Sequence, residues 1–82
     1  MLVWPNPTYG KSDIRYQNSE FRSVTLTVHD VTGKQVMLLA DETQNAGEHV
    51  INMDISELPD GLYIIRLQAG KESAVTKVIV AH

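Results

Sequence analysis

Apolar and polar residues alternate with a period of two along most of this chain. "VTLTVHD" sets Val24, Leu26 and Val28 on one face and Thr25, Thr27 and His29 on the other. "EHVINMDI" repeats the pattern with Ile51, Met53 and Ile55 against Val50, Asn52 and Asp54, and "LYIIRLQ" does so with Tyr63, Ile65 and Leu67. A strand turns successive side chains to opposite faces, so this pattern describes strands with one face buried. No segment shows a helical repeat, and "ADETQNAG" is too short and polar to form more than one helical turn. The more evenly apolar "QVMLLA" is expected nearer the middle of the core, and "DETQNAG" is expected to be a polar loop.

Turn signals separate these runs. Gly33 in "DVTGK" occupies a position where a hairpin needs a positive φ. "SELPDG" and "AGKE" mark two further connections, and "PNPTYGKS" separates the short strands "LVW" and "DIRY". About seven strands with turns every 8 to 12 residues or so have the spacing of an all-β sandwich. The expected fold is a small antiparallel, seven-stranded, immunoglobulin-like β-sandwich. Leu58, Pro59, Gly61 and Tyr63 lead into a strand as the late corner of such domains does, which gives Tyr63 the structural task of bonding backbone across that corner.

Eighty-two residues accommodate one domain spanning 1–82. A chain of this size buries only about 60 % of its unfolded surface, and without cysteine it has no disulfide to help. Its stability therefore rests on packing Val, Ile, Leu and a few aromatics. The net charge of −3 and the scattered Lys and Arg argue against nucleic acid as a partner. No apolar run reaches the roughly 18 residues of a membrane span. "MLVWPNP" lacks the basic start and apolar stretch of a signal peptide, so Met1 running directly into "LVW" is read as the start of a fragment excised from a longer protein.

The residues offer little for catalysis. His29, His49 and His82 have no carboxylate or second histidine at a local spacing that would make a catalytic or metal-binding set. "DVTGK" fails as a phosphate-binding loop, because Val28 stands where the first glycine is required and Gln35 replaces the hydroxyl residue. The central proline of Asn6-Pro7-Thr8 removes it as a glycosylation acceptor. The expectation is a protein that is not an enzyme and needs no cofactor or metal.

Two features bear on binding. Trp4 and Tyr9 flank the "PNP" turn and offer an aromatic patch for sugar, but the expectation is that Trp4 seals one end of the core. Lys77 stands between Val75 and Ile79 on an otherwise apolar strand face, as edge lysines that discourage aggregation do.

"WPNPTYGK", "VHDVTGKQV", "LPDGLYIIRL" and "TKVIV" occur in that order along the chain. Together they resemble the type A C-terminal sorting domain of the Bacteroidetes type IX (Por) secretion system, from about Val3 to Val80. By position, Pro5, Asn6 and Pro7 match the family's opening turn; Asp30, Gly33 and Lys34 match its central hairpin; Gly61 and Tyr63 match its late motif. Lys77, Val78, Ile79 and Val80 match the terminal segment in which the family concentrates its export information. Trp4 replaces a more usual tyrosine, and the chain ends in Ala81-His82 where members often finish on a basic residue.

The resemblance implies an immunoglobulin-like sandwich and a noncatalytic role as an export address. It implies cargo that transits the periplasm, crosses the outer membrane through the translocon and reaches the cell surface or the medium. A sortase-like peptidase then commonly removes the domain. Recognition is expected at Lys77–Val80, with backbone on an edge strand available to a partner strand or to a second copy in a homodimer. The alternative reading is an accessory binding module of a secreted hydrolase or adhesin, built on Trp4 and Tyr9.

Overall fold

The computed structural model describes residues 1–82, folded into seven strands without helix. They are β1 (Leu2–Trp4), β2 (Lys11–Asn18), β3 (Arg22–His29), β4 (Gln35–Gln44), β5 (Gly47–Asp54), β6 (Gly61–Ala69) and β7 (Glu72–Val80). One sheet has the order β1-β2-β5 and the other β4-β3-β6-β7, with every strand pair antiparallel. This is the expected immunoglobulin-like sandwich, with the fourth strand beside the third rather than on the opposite sheet.

The period-two pattern does what it predicts. Val24, Leu26 and Val28 of β3, Tyr63, Ile65 and Leu67 of β6, and Met53 of β5 all enter the core, joined by Ile55 just beyond β5. Val3, Ile14 and Tyr16 join Met53 from the β1-β2-β5 sheet, and Val78 and Val80 complete the core from β7. Each fully buried Val, Leu or Ile contributes about 1.5–3 kcal/mol relative to exposure, so these few residues carry the fold.

β4 departs from expectation. The evenly apolar "QVMLLA" lies at the sheet's edge, and none of Val36 to Ala40 is fully buried. Register shifts at Leu26/Thr27 and Val28/His29 break its alternation, which explains why the sequence lacks a clean two-residue period there. The strand also continues through the expected loop: Asp41 to Gln44 pair with Thr25 to Arg22. Gln44 is buried and accepts a hydrogen bond from the Tyr16 hydroxyl, so a polar stretch is held in a strand by a buried polar contact. Burial pushes the Tyr16 phenol up from its ordinary pKa.

Asn18 completes the polar end of the sandwich. Its amide donates to the carbonyls of Gln44 and Asn45, both at 3.1 Å, and its oxygen accepts from Arg22 Nε at 3.0 Å. No buried side-chain polar atom lacks a partner, as a small core requires when each orphaned group costs about 1–3 kcal/mol.

Candidate functional site

β7 carries the terminal motif and ends its sheet. Its only strand partner is β6, in a register running from Gly61 opposite Val80 to Ala69 opposite Glu72. That register divides the motif in two. Val78 and Val80 point into the core and are completely buried or nearly so, whereas Lys77 is exposed and Ile79 is 47 % exposed beside it. Val75, two residues before Lys77, is 62 % exposed on the same outer face.

The opening turn closes over the edge of this strand. Asn6 Nδ2 donates to the Lys77 carbonyl at 2.9 Å, and Asn6 Oδ1 accepts from the Ile79 N–H at 3.1 Å. The amide side chain thereby replaces the backbone of a neighbouring strand. Thr8 continues the pairing with backbone of its own: its N–H donates to the Ile79 carbonyl at 2.8 Å and its carbonyl accepts from the Ala81 N–H at 3.0 Å. The turn is tied to β2 as well, because Ser12 Oγ donates to the Pro5 carbonyl at 2.7 Å. The buried Thr8 hydroxyl accepts from the Gly10 N–H and donates to the Lys11 carbonyl.

The edge expected to be free for a partner strand is therefore occupied at Lys77, Ile79 and Ala81. Backbone alternation leaves Ser73 and Val75 as the β7 positions whose outward N–H and C=O groups remain open.

Gly10 lets the same turn lie against the segment that follows β5. It has φ +130°, and a Cβ there would stand 2.6 Å from Ser56 Cα. Its carbonyl accepts from the Ile55 N–H at 2.7 Å.

The other two motifs build corners at the same end of the sandwich. Asp30 follows β3, whose last residue His29 pairs with Ile64 near the start of β6, and that start lies opposite Val80. The Asp30 carboxylate accepts from Thr32 Oγ1 at 2.6 Å, Thr32 N at 2.9 Å and Lys34 N at 3.1 Å. The Thr32 hydroxyl bond, followed by these backbone bonds, holds the Asp30 carboxyl below its ordinary pKa. Gly33 takes φ +89°, as the hairpin demands.

At the late motif, Tyr63 Oη donates to the Pro59 carbonyl at 2.7 Å, four residues back, which is the corner bond expected of it. His82 ties the chain's end to this corner, with its N–H 3.2 Å and its Nδ1 3.1 Å from Asp60 Oδ1.

Trp4 does not seal the core. It is 72 % exposed, because β1 alternates and Val3 takes the inward position. Trp4 borders an open cleft of about 480 Å³ with Lys11, Asp13, Asn52 and Asp54, and Tyr9, 81 % exposed, does not line it. Tyr9 thus stands outside the cleft that Trp4 borders. His29 lies beside Thr27 Oγ1 and the Gly33 carbonyl, and His49 stacks on Tyr16 with ring centroids 5.6 Å apart. No three His, Cys, Asp or Glu residues are grouped to hold a metal ion.

The motif order now has a structural counterpart: four segments scattered along the sequence meet at one end of the fold. A family model described as "Secretion system C-terminal sorting domain" matches residues 2–81. The chain belongs to that family. No curated protein matches it. This sorting domain is a C-terminal signal for type IX secretion, and it directs export toward the cell surface or extracellular space. The sorting domain has no helix long and apolar enough to cross a membrane.

Sequence reasoning passed over the sorting domain's Thr8 and Gly10. Both lie inside "WPNPTYGK", but nothing in a linear sequence indicates that Thr8 pairs with Ile79 or that Gly10 lies against Ser56.

Proposed function

We propose that the type IX translocon recognises the folded sorting domain through the outer face of β7, with Lys77 giving charge specificity and Ile79 and Val75 giving apolar contact. Val78 and Val80 serve this recognition from beneath, by anchoring the strand in the core. Pro5, Asn6 and Pro7 hold its edge, while Asp30, Gly33, Lys34, Gly61 and Tyr63 fix the adjoining corners. The single observation that carries this reading is the Asn6 clasp on Lys77 and Ile79. It fixes the backbone under two outward side chains, so a partner meets an ordered surface and little ordering entropy remains to be lost.

In this reading the domain is a noncatalytic address. Its cargo enters the periplasm behind an ordinary N-terminal signal peptide and crosses the outer membrane through the translocon. A sortase-like peptidase then separates cargo from domain, and the cargo is attached to an anionic lipopolysaccharide or released. A homodimer built on edge strands would use β1, β4, β5 or the open Ser73–Val75 stretch of β7, since much of the remaining β7 edge is occupied.

The test is a secretion assay in a bacterium carrying the type IX system. A fluorescent protein with a periplasmic signal peptide is fused ahead of residues 1–82, beside versions carrying Lys77→Ala or lacking residues 76–82. Translocon-dependent export of the parent, loss of export on deletion and reduced export of the well-folded Lys77→Ala form are expected. Export of the Lys77→Ala form at the parent level would overturn the role given to this side chain. Undiminished export of the deletion would overturn the assignment of the address to β7.

A further inference from the structure

The outer face around Lys77 has a charge pattern that names its partner. Register places Leu62 opposite Ile79, Ile64 opposite Lys77 and Arg66 opposite Val75 on β6 and β7, while His29 and Thr27 extend the second and third of these rungs onto β3. Arg66 and Lys77 are both exposed, and neither joins any of the chain's ion pairs. β3, β6 and β7 together hold one carboxylate, Glu72 at the start of β7, although the chain has ten and a net charge of −3. Two unpaired cations therefore stand among Leu62, Val75 and Ile79, three apolar side chains that are themselves exposed.

We infer that this face binds an acidic, extended protein segment of the secretion machinery, one alternating carboxylates with apolar side chains, and that Arg66 is a second cationic contact beside Lys77. The inference rests on the reading that β7 is the recognised strand, and it adds the partner's chemistry and a residue outside the terminal motif.

Charge complementarity selects an acidic partner, because a like-charged surface opposite Arg66 and Lys77 is repelled. The spacing selects a peptide over a lipid surface. Along β7 the outward side chains run Val75, Lys77, Ile79, an apolar–cation–apolar order, with Arg66 on β6 opposite Val75, and an extended strand presents its side chains in that two-residue rhythm. The open backbone of Ser73 and Val75 lies along the same edge and offers main-chain pairing to such a segment.

The test uses the same secreted fusion with Arg66→Glu, Arg66→Lys and Lys71→Glu. Lys71 lies in the β6–β7 turn, so its substitution makes the same change in net charge away from these rungs. Thermal melting of each purified fusion confirms that the domain remains folded. Arg66→Glu is expected to lower export about tenfold or more, while Arg66→Lys and Lys71→Glu stay within about twofold of the parent.

Export of Arg66→Glu at the parent level, with Lys77→Ala still defective, would overturn the acidic partner and leave β7 recognition standing. Parent-level export of both would remove both readings. An equal loss from Lys71→Glu would assign the effect to net charge and overturn the site. Co-sedimentation of the parent fusion with phosphatidylglycerol vesicles, abolished by Arg66→Glu, would assign the face to anionic lipid and overturn the peptide.

Discussion

Asn6 and Ile79 lie 73 residues apart, and the Asn6 carboxamide oxygen accepts the Ile79 backbone N–H at 3.1 Å. The same carboxamide donates to the carbonyl of Lys77. One side chain thus covers two backbone groups of an edge strand that solvent or another strand would otherwise take.

Asn6→Ala removes both bonds and is expected to destabilise the purified chain by about 1–2 kcal/mol, since each bond contributes roughly 1 kcal/mol or less at an exposed site. Urea denaturation measures the loss. Hydrogen exchange locates it: the Ile79 amide is expected to exchange slowly in the parent and almost as fast as the open-edge Val75 amide in the variant. Unchanged protection at Ile79 would show that Asn6 does not close this edge.

Val78→Ala and Val75→Ala separate the two faces of β7. Val78 is completely buried, so losing two methyl groups costs about 2 kcal/mol plus whatever cavity remains. Val75 is mostly exposed, and its truncation is expected to cost under about 0.5 kcal/mol. Chemical denaturation of both variants checks the ordering. Equal losses would contradict the register that places Tyr63 opposite Val78.

Gly10→Ala meets two obstacles, a positive φ and a Cβ pressed against Ser56 backbone. The expected loss exceeds about 2 kcal/mol. Gly33→Ala has the positive φ but open space around its Cβ, so it is expected to cost less. Thermal melts of the two variants test that order.

Tyr63→Phe keeps the ring and deletes only the hydroxyl that donates to the Pro59 carbonyl. A loss of about 1 kcal/mol in urea denaturation is expected. A variant as stable as the parent would show that the ring, rather than its hydroxyl, holds the corner.

Asp30 gives the fold a dependence on acid. Its folded pKa lies below the unfolded value, chiefly through the Thr32 hydroxyl bond, so its contribution is fully present above the unfolded pKa of about 3.9 and disappears as pH falls through the lower folded value. Asp54 behaves likewise, through its bond from the Ser56 hydroxyl. Melting temperature is expected to fall less steeply on acidification below about pH 4 in Asp30→Asn than in the parent. Identical slopes would remove Asp30 from the acid response.

Local sequence pattern sets which residues form most of the strands and which face of each is buried. Val24, Leu26, Val28, Tyr63, Ile65 and Leu67 were legible because a strand's two-residue period is a local property. Gly33 and the Tyr63 corner were legible for the same reason: φ at a turn and a bond spanning four residues depend on near neighbours.

β4 and Trp4 depart from their local pattern because tertiary position overrides it. An apolar run reads the same in a central strand and in a bulged edge strand, and a tryptophan's exposure depends on which face β1 turns inward. The site itself was decided only in three dimensions. The sequence supplied Asn6 and Lys77–Val80 as separate motifs, but sheet order and register made β7 an edge, sent Val78 and Val80 inward, left Lys77 and Ile79 outward and brought Asn6 across to hold them. Contacts between residues more than seventy positions apart depend on how both sheets pack, and no short stretch of sequence contains that information.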